Sequence, residues 1–228
     1  MTAARLGRPR LHLRSTTSTN DRARDLAAAG APHGTVVTAA EQTAGRGRQG
    51  RTWSAPPGRA LLVSVVLHDP PVLLPLAAGL AVAEVAGDEA KIKWPNDVLV
   101  DGRKIAGILA EGQPQQGWAV LGIGLNVALR IGDLPPELHE TAGTLGLEPA
   151  DVEPTLERLL AALERTLALD DAALLATFRA RDALRGHEVR WANGRGRAAG
   201  IDGEGRLVVE LAGGGRTALS AGEVHLQR

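Results

Sequence analysis

The sequence predicts an α/β or α+β protein with a second, small β domain at its C-terminal end. Long apolar runs typical of buried strands alternate with helical segments over roughly the first 184 residues. After Gly186 the chain changes to short apolar pieces separated by Asn-Gly, Asp-Gly, Glu-Gly and Gly-Gly-Gly turns, which is the pattern of a small antiparallel sheet or barrel. The 228 residues are 44% hydrophobic, which is enough to bury a sizeable core.

The first half of the chain predicts strands and two helices. A strand is expected over residues 10–16, where apolar and polar residues alternate. A helix is expected between the polar triplet that starts at Ser18 and Gly30, because Ser, Thr and Asn cap helix N-termini and Gly ends helices. Continuous apolar runs predict buried strands over residues 34–42, 59–69 and 117–127, and helix-forming residues predict a second helix over residues 75–87.

Residues 91–112 predict three more strands joined by tight turns. The Pro in "KWPND" marks the first turn, and Asp101–Gly102 marks the second, since Asp-Gly between apolar runs is a strong hairpin signal. Beyond an irregular Pro- and Gly-rich stretch, residues 154–184 predict two helices broken near Asp170–Asp171. We place a domain boundary near Leu184, which divides the chain into residues 1–184 and 185–228.

Composition excludes several classes of protein. There are no cysteines, so disulfides, Cys-ligated zinc and thiol catalysis are excluded. No secretory signal or long apolar span is visible, so we expect a cytoplasmic protein without membrane contact. The net charge of zero disfavours a dedicated nucleic-acid binder. Nearly all basic residues are Arg, which makes the lysines Lys91, Lys93 and Lys104 informative, because Arg does not replace Lys at a reaction centre.

The most unusual segment is "TAGRGRQGRTW", residues 43–53, called the Arg–Gly loop below. Its glycines match G-x-G-x-x-G, but the dinucleotide fingerprint needs a helix directly afterwards, and Pro56, Pro57 and Gly58 prevent one. Glycines let backbone N–H groups approach an anion, and Arg side chains grip phosphate or carboxylate through two contacts. The loop is therefore either a solvated Arg-rich segment or an anion-binding loop.

Polar residues next to the predicted strands have both structural and functional interpretations. Asn96 and Asp97 either bond turn amides or contact a nucleotide or Mg²⁺. Lys104 is either an exposed strand-end lysine or a charge at a phosphoryl centre. Gly122 and Gly124 lie inside a strand, where Gly weakens the sheet unless something must approach closely.

Five motifs occur in order: "STN", "EQTAGRGRQGRTW", "KWPNDV", "GRKIAGILAE" and "GIGLNV". Together they resemble the biotin–protein ligases, and the resemblance extends from about Ser15 to the end of the chain. It implies a catalytic domain related to class II aminoacyl-tRNA synthetases and lipoate ligases, with a mixed sheet flanked by helices, followed by an SH3-like barrel. It also implies that biotin and ATP form biotinyl-5′-adenylate, that Mg²⁺ assists, and that a lysine of a carboxylase carrier domain then accepts biotin.

The resemblance implies a role for each matching residue. The catalytic residues would be Lys104 and Arg48. Residues implied for biotin are Ser18, Thr19, Asn20, Gln42, Gly45, Arg46, Gly47, Arg48, Lys104, Gly107, Gly122 and Gly124, with the last three making room for the biotin body. Residues implied for ATP are Arg48, Arg51, Trp53, Lys93, Asn96, Lys104 and Asn126, with Trp53 stacking on adenine. Asp97 is a candidate for Mg²⁺ or for a structural role. The Arg–Gly loop would fold over the adenylate as a lid.

Alternatives remain open at this point. Some family members carry an N-terminal winged helix, which this sequence lacks, so we expect no operator binding. A lipoate ligase of the same superfamily is the alternative enzyme, and a non-catalytic biotin or adenylate sensor is the alternative binder. A nucleic-acid module is disfavoured by the scarcity of aromatic side chains. The sequence leaves both monomer and homodimer possible.

Overall fold

The computed structural model describes residues 6–220 and 222–226. Seven strands form the larger sheet: β1 (Arg10–Leu13), β2 (Val36–Ala39), β3 (Ala60–His68), β4 (Lys91–Lys93), β5 (Asp97–Val100), β6 (Arg103–Gln113) and β7 (Trp118–Asn126). Their order is β1-β2-β3-β7-β6-β5-β4. The β1–β2 pair is parallel and the other neighbours are antiparallel, so the sheet is mixed.

Helices cover both faces of this sheet. They are α1 (Thr19–Ala28), α2 (Leu74–Ala86), α3 (Val152–Leu167) and α4 (Asp171–Ala180). The predicted break between the last two helices is confirmed, because Asp170 caps α4 by accepting a hydrogen bond from the Ala173 amide at 2.8 Å.

Strand periodicity assigns residues to the two faces of the sheet. Successive residues of a strand point to opposite faces. On β7, the odd-numbered residues Leu121 and Ile123 join the large core with α2 and α3. The even-numbered Trp118 and Val120 pack against Ala23 on α1 in a separate small core. Further along β7 the next two even positions are Gly122 and Gly124, so no side chain of β7 covers the α1 face of the sheet there.

The remaining strands form a five-stranded antiparallel sheet. These strands are β8 (Glu188–Trp191), β9 (Gly194–Ile201), β10 (Leu207–Glu210), β11 (Arg216–Leu219) and β12 (His225–Leu226), in the order β11-β10-β9-β8-β12. The antiparallel pattern predicted after Gly186 is thus confirmed. The apolar core continues between the two sheets, since Gly205 lies close to Leu73 and Leu76 and its carbonyl accepts a hydrogen bond from Nε1 of Trp94 at 2.9 Å.

The predicted elements differ from the structure mainly at their ends. The first strand stops at Leu13 rather than at residue 16, and its pairing continues only as an isolated bridge between Thr16 and Gln42. The Asp101–Gly102 hairpin turn is confirmed, with both residues at positive φ (51° and 71°). Among the described helices, none has the length and apolar character needed to cross a bilayer.

Candidate active site

A cleft lies on the α1 face of the larger sheet, where the glycines of β7 leave space. Most of the residues predicted for the site line it: Ser18, Thr19, Asn20, Gln42, Arg46, Gly47, Arg48, Arg51, Trp53, Lys93, Asn96, Asp97, Lys104, Gly107, Gly122 and Gly124. The cleft is also lined by three residues just before β12, called the C-terminal segment below: Gly222, Glu223 and Val224. The cleft therefore combines α1, the Arg–Gly loop, the four strands β4 to β7 and the C-terminal segment.

The register of the sheet explains the positions of the glycines. Gly122 on β7 lies between Ser64 of β3 and Leu109 of β6, its two cross-strand partners. Gly124 is paired directly with Gly107 of β6. These pairings create two flat areas on the sheet surface, one beside a buried hydroxyl and one without side chains.

Asn20 occupies the first of these areas. A Cβ atom added at Gly122 would collide with the Asn20 amide, so Gly is required there. Nδ2 of Asn20 donates to the Leu109 carbonyl at 3.4 Å, and Oδ1 accepts from the Ser64 hydroxyl at 2.6 Å. Ser64 is fully buried and also lies 2.8 Å from the Thr19 hydroxyl. The start of α1 is therefore fixed to the sheet by a chain of hydrogen bonds.

The N-terminus of α1 is capped differently from the prediction. Ser18 lies at the N-cap position, but its side chain makes no capping hydrogen bond. Instead, Oε1 of Gln42 accepts from the Thr19 amide at 2.7 Å and from the Thr19 hydroxyl at 3.0 Å. Gln42 thus satisfies one end amide of the helix, and the Ser18 hydroxyl, which makes no capping bond, is available to a ligand.

Trp53 occupies the second area. A Cβ at Gly124 would collide with its indole, and one at Gly107 would lie 3.1 Å from Cζ3 of the same ring. Trp53 and Asn20 thus lie against Gly107, Gly122 and Gly124, and the role of these glycines in making room for the biotin body stays a prediction. Nε1 of Trp53 is buried without a hydrogen-bond partner among the described atoms.

A strand irregularity brings Lys104 to the cleft. Lys104 and Gly107 are three residues apart and would face opposite sides of a regular strand. The pairing of β5 with β6 shifts between Val98 and Leu99, which lets both residues line the cleft. Nζ of Lys104 lies 2.6 Å from Oδ1 of Asp97 and 5.7 Å from the centre of the Trp53 ring.

The three arginines of the Arg–Gly loop have different partners. Nη2 of Arg46 lies 2.8 Å from carboxylate oxygens of both Asp21 and Glu111. Arg51 forms an ion pair with Glu223 of the C-terminal segment. Arg48 instead donates to Oδ1 of Asn96 at 3.2 Å. Protein carboxylates thus engage Arg46 and Arg51 directly, while Arg48 is held by a neutral amide and can turn to an anionic ligand.

Burial disfavours the charged forms of two cationic side chains in the cleft, Arg48 and Lys93. Burial lowers the pKa of Arg48 below its ordinary value, although the charges of Asp97 and Glu223 oppose this effect. The pKa of Lys93 is also lowered, mainly by burial and further by the neighbouring charge of Lys104. An anion bound beside these groups would restore the favourable environment that burial removes from their charged forms.

Two predicted site residues lie outside the cleft lining. Gly45 is required by the backbone, because a Cβ there would collide with the Trp53 carbonyl. Asn126 is buried, and its Nδ2 donates to the Gly143 carbonyl at 2.8 Å, so it holds a loop. The predictions that Gly45 contacts biotin and that Asn126 contacts ATP stay predictions.

Sequence reasoning missed three residues that shape the site: Ser64, Glu111 and Glu223. Ser64 carried a usable signal, since a lone hydroxyl inside a continuous apolar strand needs a buried partner. Glu223 carried no such signal, because only the fold brings the C-terminal segment to the Arg–Gly loop.

The described residues hold no group of three or more His, Asp or Glu side chains that would cage a metal ion. Asp97 is the predicted metal residue, and it is paired with Lys104.

Comparisons with known proteins relate the sequence and the fold of this chain to one family. Residues 12–127 match the model of the Biotin/lipoate A/B protein ligase family, and residues 193–226 match the Biotin protein ligase C terminal domain. The biotin–[acetyl-CoA-carboxylase] ligase of Mycobacterium tuberculosis is 41% identical over 93% of this chain and 87% of its own length. The biotin protein ligase of Aquifex aeolicus, solved with biotin and ATP, superposes with a TM-score of 0.79 at 27% identity over 97% of this chain and 99% of that one. The Leishmania major enzyme, solved with biotinyl-5-AMP, gives a TM-score of 0.63 at 26% identity over 93% and 98% of the two chains.

Proposed function

This chain belongs to the biotin/lipoate A/B protein ligase family, and from that premise we propose how its cleft performs the reaction. The chain is an ATP-dependent biotin–protein ligase with a mixed-sheet catalytic part and an antiparallel C-terminal sheet. In the first step, the biotin carboxylate attacks the α-phosphorus of ATP. The bond from that phosphorus to the bridging oxygen breaks, and pyrophosphate leaves with the electron pair. The product is biotinyl-5′-adenylate.

The part of the cleft lined by Ser18, Thr19 and Asn20, called its polar end below, would hold the ureido ring of biotin. This ring carries one carbonyl acceptor and two N–H donors, so it needs both kinds of partner. Ser18 and Thr19 supply hydroxyls, and Oδ1 of Asn20 retains acceptor capacity beyond its bond from Ser64. The three side chains are almost completely buried, with relative exposures of 2%, 3% and 4%, so their hydrogen bonds would form away from competing water.

The observation that carries the proposal is the position of Lys104. It lies in the cleft beside the indole of Trp53 and close to Asp97, whose charge also raises the pKa of Arg48. When biotin and ATP meet there, Lys104 would stabilise the negative charge shared by the attacking carboxylate and the α-phosphate. Preorganised cations at the point where charge develops lower the barrier in such transfers. Arg48 would contact the phosphate from the Arg–Gly loop.

The nucleotide would lie on the far side of Trp53. We place its adenine against that ring and its phosphates among Arg48, Arg51, Lys93 and Asn96, which line this side of the cleft. These residues include three cations, which suits a polyphosphate.

Magnesium fits this site as a companion of ATP. With one candidate carboxylate at Asp97, the described residues do not form a cage, and Mg²⁺ is commonly held by one or two carboxylates together with substrate phosphates. Asp97 and Asn96 would hold it, and it would neutralise phosphate charge.

In the second step, the neutral amine of a lysine on a carrier domain attacks the carbonyl carbon of the adenylate. An amide bond forms and AMP leaves. We propose that this carrier belongs to a biotin-dependent carboxylase and that the reaction takes place in the cytoplasm, where ATP is supplied. We also propose residues 1–184 as the catalytic domain and residues 185–228 as a second domain that closes the nucleotide side through Glu223.

Exchange of labelled pyrophosphate into ATP, with Mg²⁺ present, tests the first step without knowledge of the carrier. We expect exchange that requires biotin and does not occur with lipoate. Exchange with lipoate alone would identify the chain as a lipoate ligase. Tight binding of biotin without exchange would identify a sensor.

A further inference from the structure

A single carboxylate oxygen connects the acid-binding end of the cleft to the Arg–Gly loop. Oε2 of Glu111 accepts a hydrogen bond from Nδ2 of Asn20 at 2.7 Å. The same oxygen accepts from Nη2 of Arg46 at 2.8 Å. Asn20 lies on α1, Arg46 in the loop and Glu111 on β6, so three separate parts of the fold meet at one atom.

Glu111 and Ser64 together fix the orientation of the Asn20 amide. An ionised carboxylate can only accept hydrogen bonds, so the amide nitrogen must face Glu111. Ser64 occupies the other end of the amide, where its hydroxyl lies 2.6 Å from Oδ1. Nδ2 uses both of its hydrogens on protein acceptors, namely Glu111 and the Leu109 carbonyl. Oδ1 keeps one lone pair, so Asn20 presents an acceptor to a ligand N–H.

The other half of this arrangement holds the loop. Arg46 contacts Glu111 and also Oδ1 of Asp21, in each case at 2.8 Å. Its side chain and those of both carboxylates are only about one third exposed (35%, 30% and 39%), so solvent screens these contacts less than surface ion pairs. Both Asp21 and Glu111 bond Arg46, but of these two carboxylates only Glu111 also bonds Asn20.

We infer that Glu111 is a positioning residue that couples recognition of the acid to closure of the Arg–Gly loop. It orients Asn20 for the ureido N–H of biotin and anchors Arg46, so loss of its charge disturbs both events. The inference rests on the proposed function and adds to it the link between the two ends of the cleft.

Three substitutions separate the two halves of the arrangement. Glu111→Gln removes the charge at nearly constant shape and affects both contacts. Ser64→Ala removes the partner of Asn20 at Oδ1 and a contact with the Thr19 hydroxyl, and it leaves the contacts of Arg46 in place. Asp21→Asn weakens the second contact of Arg46, together with the pair between Asp21 and Arg24, and it leaves the bonds of Asn20 in place. Asp25→Asn is the matched control, because Asp25 lies exposed on α1 and, among the residues that the structure describes, forms an ion pair with Arg22 alone.

Two measurements are made on each purified protein: the Kd for biotin without ATP, and the rate at which preformed biotinyl-5′-adenylate is released. We expect Glu111→Gln to raise the Kd about tenfold, as for a lost charged hydrogen bond, and to speed release several-fold. Ser64→Ala should raise only the Kd, and Asp21→Asn should raise only the release rate. A thermal melt of each variant establishes that it is folded.

Wild-type values for Glu111→Gln in either measurement would overturn the inference and leave the proposed function intact. A wild-type protein that binds neither biotin nor biotinyl-5′-adenylate would overturn both. If Glu111→Gln did not fold, Glu111→Asp would be measured instead. It keeps the charge but withdraws it by one methylene, and the same two effects are expected.

Discussion

Lys104 is held in place by two different contacts. Asp97 fixes its ammonium group from one side at 2.6 Å, and the face of Trp53 lies 5.7 Å away on the other. Neither contact neutralises the lysine completely, because a partly exposed ion pair is weak compared with a phosphate ligand. These contacts can therefore position Lys104 before the substrates bind, and the ammonium group can then bond the reacting groups instead.

Replacement of Lys104 tests its catalytic role. We expect Lys104→Ala to reduce biotin-dependent pyrophosphate exchange at least about a hundredfold, since the lost charge acts in the transition state. The melting temperature should change little. The matched control is Lys91→Ala, which removes an exposed lysine on β4. Exchange at the control's rate in Lys104→Ala would remove the lysine from the mechanism.

At the scale of elements, the register of β6 and β7 creates the site. Gly107 opposite Gly124 leaves a flat area that an indole can cover, and the shift between β5 and β6 turns Lys104 toward the same area. These features depend on backbone pairing, so a single added methyl group should disturb them.

Gly124→Ala tests the seat of Trp53. The new methyl would collide with the indole, which must move off the strand and lose its position for adenine. We expect the KM for ATP to rise about tenfold while the Kd for biotin changes less. Gly132→Ala is the control, because an added methyl there meets nothing within 4 Å. Equal ATP constants in the two variants would show that Trp53 does not depend on Gly124.

A buried carboxylate marks the connection between α4 and the smaller sheet. Oδ1 of Asp182 accepts from the Leu184 amide at 2.8 Å, while Oδ2 is buried without a partner among the described atoms. Burial raises the pKa of Asp182 above its ordinary value, and bonds from Leu184 and Arg185 only partly oppose this. The folded protein therefore binds a proton more tightly than the unfolded chain does.

The raised pKa of Asp182 determines how the stability of the folded protein changes with pH. Below the unfolded pKa of 3.8 both states are protonated, and stability falls as pH rises from there through the higher folded pKa. We expect Asp182→Asn to unfold at a higher denaturant concentration than the wild type at pH 7, and to lose this advantage near pH 3. Asp88→Asn, at an exposed site, is the control. A variant less stable at pH 7 would show that the charge is favourable.

At the scale of the whole molecule, the C-terminal segment takes part in closing the cleft. Glu223 pairs with Arg51 of the Arg–Gly loop, which lowers the pKa of Glu223 below its ordinary value. The contact is therefore complete above the unfolded pKa of 4.5 and is lost as pH falls through the lowered folded value.

Glu223→Gln should loosen this closure. We expect adenylate release to accelerate several-fold at neutral pH, with a non-zero coupling to Arg51→Gln of about 0.2–1 kcal/mol, as for a partly exposed pair. The double-mutant cycle is measured on the release rate. Strict additivity of the two substitutions would mean that the pair does not hold the loop.

Sequence and structure agree where a local pattern decides the outcome. Continuous apolar runs located β3 and β7, and Asp-Gly located the hairpin between β5 and β6. The glycines of β7 were recognised as places of close approach, but their occupants were not, because Asn20 and Trp53 are brought there by pairing between distant strands.

The same limit applies to the polar partners of the site. Glu111, Glu223 and Ser64 bind residues that are 91, 172 and 44 positions away in the chain, and no local spacing records such contacts. The cap of α1 by Gln42 likewise depends on a loop 23 residues beyond the helix start.

The most direct test of the account is whether the protein makes and keeps the adenylate without any carrier. The protein is incubated with biotin and Mg·ATP, separated from free ligand, and analysed by mass spectrometry for bound biotinyl-5′-adenylate. We predict nearly one adenylate for each wild-type chain and none for Lys104→Ala. Wild-type protein that carries only intact biotin and ATP after this treatment would contradict the assignment of the cleft as an adenylation site.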